Sequence, residues 1–288
     1  MKPCAFQYFA PATVGEAINL LEQHDAKILA GGQSLIPIMN FRLGRPETLV
    51  DINGIKELEY VREEGGELVI GALTRERDVE LSPLVQRKCP VLAKAISYVG
   101  HVTIRNRGTI GGSLAHADPS AEIPLVFTAL DGTIKAIGPD GEATFKPDEF
   151  FLTYLTSALE PAQVLAEVRV PILDEGTGWS FMEMSRRVGD FAIVAVATIL
   201  FMNGGVCKEA RIALGGVAPT PVRAREAEDL LAGNAITDEL AEQAAELALQ
   251  ATDAESDYHA TADYRREMTR VLVRKTLQDA LQKARGGK

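Results

Sequence analysis

Apolar positions along this chain change their period several times, and each change predicts an element. From Val14 they recur at helical spacing (Val14, Ala17, Ile18, Leu21), behind Thr13 and Glu16, which form a capping box. Residues 26–30 and 48–52 are short apolar runs of strand length, with a helix expected from about Ser34 between them. Alternating segments at 58–62 and 67–71 flank Glu63-Glu64-Gly65-Gly66 and predict a hairpin. Helical spacing returns at Thr74, at 90–99 and at 120–130, followed by a second hairpin around Pro139-Asp140-Gly141. Residues 164–170 read as an edge or closing strand stopped by Pro171.

The pattern shifts at the polar link Leu173-Asp174-Glu175-Gly176-Thr177-Gly178. Strands are expected at 179–184, 192–201 and 210–214, then helices at 223–231, 238–249 and 263–283. The last helix carries Tyr264, Met268, Val271 and Leu272 on one apolar stripe. Blocks of strands followed by blocks of helices indicate an α+β fold. Three units are expected, 1–55, 56–175 and 176–288, with the main boundary near residue 176.

Composition narrows the chemistry. The chain has 288 residues, 46% of them apolar, which suits a globular protein with substantial cores. A net charge of −10 argues against nucleic acid, which needs a basic face. Cys4, Cys89 and Cys207 are too few and too scattered for a disulfide framework or an iron–sulfur cluster. The four histidines, His24, His101, His116 and His259, lack metal-ligand spacing. Residues 1–7 hold no apolar core of signal-peptide length, and no run is long enough to span a bilayer. A cytoplasmic protein without an integral membrane segment is expected.

Two glycine loops hold the candidate chemistry: Leu29-Ala30-Gly31-Gly32-Gln33-Ser34-Leu35-Ile36 and Thr109-Ile110-Gly111-Gly112-Ser113. Glycine lets a ligand approach the main chain, and backbone N–H groups entering a helix attract phosphate. Neither loop reads G-x-G-x-x-G or G-x-x-x-x-G-K-[ST]. Each alone is more often a tight turn than a phosphate cradle; the two together are as readily the seat of an extended ligand with a pyrophosphate, such as a dinucleotide.

These two loops, in order with Arg186-Arg187-Val188-Gly189-Asp190-Phe191, resemble the FAD-binding medium subunit of the molybdenum hydroxylases, the xanthine dehydrogenase and carbon monoxide dehydrogenase family. The resemblance covers essentially the whole chain. It implies a two-part FAD-binding region of the vanillyl-alcohol-oxidase-like (PCMH) type, then an α+β C-terminal domain with a three-stranded antiparallel sheet and helices. It further implies an oxidoreductase subunit with noncovalent FAD, no catalytic acid or base and no metal of its own. A large molybdopterin-binding subunit and a small iron–sulfur subunit would be its partners, in a dimer of heterotrimers. FAD would take electrons from the clusters and pass them to an external acceptor.

Carried over by position, Leu29 to Ile36 would wrap the pyrophosphate, with the Ser34 hydroxyl assisting. Thr109, Ile110 and Gly111 to Ser113 would form a second wall. Glu122, with Asp118 beside it, would accept from ribose or ribityl hydroxyls, and Leu165 would supply an apolar contact. Other readings stand beside these: Ser34 and Thr109 as helix caps, Glu122 as a first-turn carboxylate, and Leu165 as core. Phe191 reads as core at a strand start or as flavin cover, and Arg105 and Arg107 read as solvated. Phe181-Met182-Glu183-Met184 lacks the lysine that eukaryotic xanthine dehydrogenases place near the flavin, so the resemblance does not imply NAD as acceptor. A self-sufficient flavin oxidase and a non-catalytic nucleotide-binding module are the alternatives.

Overall fold

A computed structural model of the protein describes residues 2–286. Residue 1 and residues 287–288, the outermost positions of two expected units, lie outside the described residues. The chain opens with β1 (Gln7–Phe9), α1 (Val14–Gln23), β2 (Ala26–Leu29), α2 (Leu35–Asn40) and β3 (Thr48–Asp51), whose strands make a parallel sheet ordered β1-β3-β2. The Thr13 hydroxyl accepts from the Glu16 N–H at 3.2 Å, and the Glu16 carboxylate accepts from the Ala12 N–H at 2.8 Å. The helix so capped buries Val14, Ala17, Ile18 and Leu21, the face its spacing predicts.

Next come β4 (Val61–Glu64) and β5 (Glu67–Gly71), then α3 (Glu76–Leu81), α4 (Pro83–Lys88), α5 (Pro90–Ile96), α6 (Val102–Arg105), α7 (Ile110–His116) and α8 (Glu122–Leu130). The unit closes with β6 (Thr133–Gly138), β7 (Gly141–Phe145), α9 (Pro147–Phe150), β8 (Phe151–Thr153), β9 (Thr156–Ser157) and β10 (Val164–Pro171). Its five-stranded antiparallel sheet runs β4-β5-β10-β6-β7, which puts β10 at the centre and corrects the expectation of an edge strand. Glu167 and Arg169 give β10 the polar look of an edge. They are instead paired across the sheet: Tyr60 donates to Glu167 at 2.5 Å, and Arg62 and Arg169 add donors at 3.2 and 2.8 Å.

Beyond the link lie β11 (Gly178–Met184), β12 (Val194–Asn203), β13 (Val206–Gly215), β14 (Val222–Arg223), α10 (Arg225–Leu231), α11 (Asp238–Ala248) and α12 (Ala262–Ala284). The antiparallel sheet has four strands, not the expected three. β14 pairs only Val222 and Arg223 with β13, too short a stretch to show alternation. Both faces of β12 are covered. Ala195, Ala197 and Ile199 join the core of the preceding unit, and Val194, Val196 and Leu200 pack with Leu272, Val273 and Leu277 of α12.

The buried face of α12 is also displaced from the expected stripe. Arg265, Thr269, Leu272, Val273, Thr276, Leu277 and Ala280 are buried, while Tyr264 is exposed. Polar residues on that face satisfy one another or the backbone: Thr198 and Thr276 hydroxyls bond at 2.8 Å, and Thr269 donates to the Arg265 carbonyl at 2.8 Å. A stripe sought among apolar residues alone therefore finds Leu272 and Met268 but misses the polar half of the contact face. No described helix is long and apolar enough to cross a membrane.

Candidate functional site

The first glycine loop leaves β2 and enters α2. Its carbonyls are tied back one after another. Leu29 O accepts from Ile52 N at 3.1 Å, Ala30 O from Asn53 Nδ2 at 2.8 Å, Gly31 O from Gln33 Nε2 at 3.0 Å, and Gly32 O from Ile36 N at 3.2 Å. The N–H groups of Gly31, Gly32, Gln33, Ser34 and Leu35 have no partner among the described residues. Gly32 adopts φ +71°, a left-handed turn that favours glycine. Ser34 occupies the N-cap position of α2, and its side chain makes no capping bond. Five open donors beside satisfied carbonyls can donate to an acceptor from outside the loop, and several such donors together suit an anion.

The second loop enters α7 and is built differently. Ile110 N donates to Thr74 O, Gly111 N to Ala72 O, Gly112 N to the Thr109 hydroxyl and Ser113 N to Thr109 O, at 2.9–3.2 Å. Thr109 is thus the cap of α7, and its N–H is the loop's remaining unpartnered one among the described residues. The expectation of a second set of open amides is corrected: two are used by bonds to the β5–α3 turn and two by the Thr109 cap within the loop. The Ser113 hydroxyl is half-buried and bonded to nothing described.

The two loops touch. A Cβ at Gly31 would overlap the Arg107 carbonyl oxygen and stand 2.8 Å from Gly108 Cα. A Cβ at Gly111 would stand 2.6 Å from Ala72 Cβ. Glycine at these two positions serves chain-to-chain approach. Ala30 and Gly112 lie close across the same junction.

The remaining expected residues are placed as follows. Asp118 Oδ1 accepts from Ser120 N at 2.9 Å in the turn before α8. Glu122 starts α8 and is buried. Burial pushes its carboxyl up to about 8, and the Glu183, Glu76 and Asp118 carboxylates add to the rise. Leu165 is almost wholly buried in the main core, where its side chain is engaged in packing. Phe191 is 66% exposed on the segment between β11 and β12, which corrects its reading as core. Arg105, expected as solvated, is buried and paired with Glu80 at 2.8 Å, while Arg107 is exposed.

Residues that the sequence did not single out complete the surroundings. Glu76 packs its carboxyl against Gly108 and is pushed up to about 8 by burial, with Arg105 opposing. Glu183 reaches about 7 by burial. Asn53 and Arg75 brace the two loops, with no spacing signal to announce them. His101 and His116 lie among no metal-binding group of described residues.

Comparison with known proteins gives this site a context. Residues 4–173 match the FAD binding domain in molybdopterin dehydrogenase, and residues 179–280 match the CO dehydrogenase flavoprotein C-terminal domain. The chain belongs to the FAD-binding medium subunits of the molybdenum hydroxylases. The carbon monoxide dehydrogenase medium chain of Hydrogenophaga pseudoflava is 42% identical, over 97% of this chain and 98% of that one. The 6-hydroxypseudooxynicotine dehydrogenase complex subunit alpha of Paenarthrobacter nicotinovorans is 41% identical, over 99% and 97%. A solved structure of the Hydrogenophaga pseudoflava carbon monoxide dehydrogenase, lacking the Mo-pyranopterin moiety of its cofactor, superposes with a TM-score of 0.96 over 98% of this chain and 99% of that one. This medium subunit is accordingly an FAD-binding oxidoreductase subunit.

Proposed function

We propose that the protein holds noncovalent FAD as the electron outlet of a molybdenum hydroxylase, between the iron–sulfur clusters of a small subunit and an external acceptor. A large molybdopterin-binding subunit completes the assembly, a dimer of heterotrimers in the cytoplasm. The relatives named as medium or alpha subunits of dehydrogenases support the division of labour. Buried, unpaired Cys89 and Cys207 suit a reducing compartment.

The observation that carries this reading is the row of open N–H groups from Gly31 to Leu35. These donors hold the pyrophosphate, and the Ser34 hydroxyl adds a further donor at the start of α2. Thr109 and Ser113 wall the opposite side. Asp118, in the turn before α8, and Glu122, at its start, are acceptors for sugar hydroxyls, and Leu165 backs the site from the core. Bound FAD supplies stepwise or paired electron transfer, and the protein supplies binding, orientation and local electrostatics. No side chain of this subunit is assigned a proton-transfer step.

The test uses the chain co-purified with its partner subunits. About one FAD per medium subunit is expected by absorption. Removing FAD should stop reduction of an external dye while leaving cluster reduction by substrate intact, and added FAD should restore the dye reaction. A flavin-free complex that passes electrons to the dye at the full rate overturns the proposal.

A further inference from the structure

We propose that Asn53 and Arg75 are positioning residues for the pyrophosphate site, a strut that fixes the open loop and the second loop as one unit. This inference rests on FAD occupying the site proposed above. The five open N–H groups run alongside the carbonyls of Leu29 to Gly32, each held by a donor, and the loop's shape depends on those bonds. Gly31 O and Gly32 O are held from within the loop, and Leu29 O is held by the Ile52 N–H beside β3. Ala30 O relies on a side chain, Asn53 Nδ2, at 2.8 Å.

Asn53 is itself oriented from both ends. Asp51 Oδ1 accepts from Asn53 Nδ2 at 2.6 Å and from the Asn53 N–H at 2.9 Å. Arg75 Nη2 donates to Asn53 Oδ1 at 2.7 Å, which turns the amide nitrogen toward Ala30. The other arm of the same guanidinium, Nη1, donates to Arg107 O at 2.7 Å. That carbonyl is the one against which Gly31 packs without room for a Cβ. One planar, bidentate group therefore spans the loops at the point where they touch, from Ala30 through Asn53 and Arg75 to Arg107.

Arg75 has no carboxylate within salt-bridge distance among the described residues, and both donors meet neutral oxygens. Its charge remains available to attract an anion, while its fork geometry does the bracing. Lysine keeps the first property and lacks the second. The strut is a different device from the donors themselves, because neither Asn53 nor Arg75 lies in the loop.

The experiment measures FAD affinity of the full chain in its complex after flavin removal, with apo-complex melting as a parallel reading. Asn53→Ala, Arg75→Lys and Arg75→Ala should each weaken FAD about ten- to a hundredfold, with melting of the apo complex little changed. Asn53→Ala combined with Arg75→Lys should be no weaker than the poorer single variant, since both break one strut. Millimolar guanidinium chloride should restore part of the affinity of Arg75→Ala and none of that of Asn53→Ala. Wild-type complex that fails to take up FAD overturns the functional reading itself. Wild-type binding with unchanged affinity in Asn53→Ala and Arg75→Lys, or with strictly multiplicative losses in the double variant, overturns the strut.

Discussion

Three glycines of the two loops look alike in sequence and do three different things. Gly31 admits the Arg107 carbonyl, Gly32 turns the chain at φ +71°, and Gly111 fits against Ala72. Substitution should separate these roles. Gly32→Ala places a Cβ 3.2 Å from Ile36 Cγ1 and Leu29 Cδ1 in a left-handed backbone, at about 1–2 kcal/mol. It should weaken FAD binding well beyond its modest effect on melting, because it reorients the open donors. Gly111→Ala forces a methyl into packed chain and should lower stability by about 1–3 kcal/mol. Its FAD loss should track its loss of stability. Thermal unfolding and flavin titration of both variants, side by side, check the contrast. The glycines were legible as sites of close approach. What approaches Gly31 and Gly111 was not, since Arg107 and Ala72 are far from them in sequence and near only after folding.

At the scale of elements, α12 anchors the segment between β11 and β12. Arg265 donates to Ile193 O at 2.5 Å, to Gly216 O at 2.8 Å and to Asp257 at 2.7 Å, although it is buried on a helix face that apolar spacing alone would not choose. Arg265→Met should leave two carbonyls without this donor and destabilise the chain by about 2–4 kcal/mol. Limited proteolysis should then cut near exposed Val188 and Phe191, and urea unfolding should report the lost stability. An intact segment and an unchanged urea midpoint would refute this role. Amphipathic spacing revealed α1 correctly, because its buried face is wholly apolar. For α12 it found Leu272 and Met268 but missed Arg265, Thr269 and Thr276, because polar side chains that satisfy one another inside the fold look like solvent-facing residues in a sequence.

For the whole molecule, the consequential feature is a set of carboxyls drawn from three separate elements, two in the middle unit and one in the C-terminal unit. Glu76 comes from α3, Glu122 from α8 and Glu183 from β11. Burial raises them from an ordinary 4.5 to about 8, 8 and 7. A folded state that holds these protons more tightly than the unfolded chain is favoured at low pH. Its advantage declines as pH rises from the ordinary carboxylate range and is lost above the folded values. The melting temperature of the flavin-free chain should therefore fall from about pH 5 to about pH 8.5. Glu122→Gln should flatten that slope; a slope equal to wild type would exclude Glu122 as a contributor.

The sequence by itself determined the α+β order of elements, the cap and buried face of α1, the two glycine loops and, through motif order, the FAD-subunit family. These depend on neighbours along the chain or on short patterns read in sequence. Tertiary structure alone decided that the first loop keeps a run of unpartnered amides while Ile110 and Gly111 of the second are bonded to the β5–α3 turn, that β10 is central, and that Asn53 and Arg75 join the loops. Each of those facts depends on which distant group satisfies a polar atom, and a linear pattern does not encode that partner.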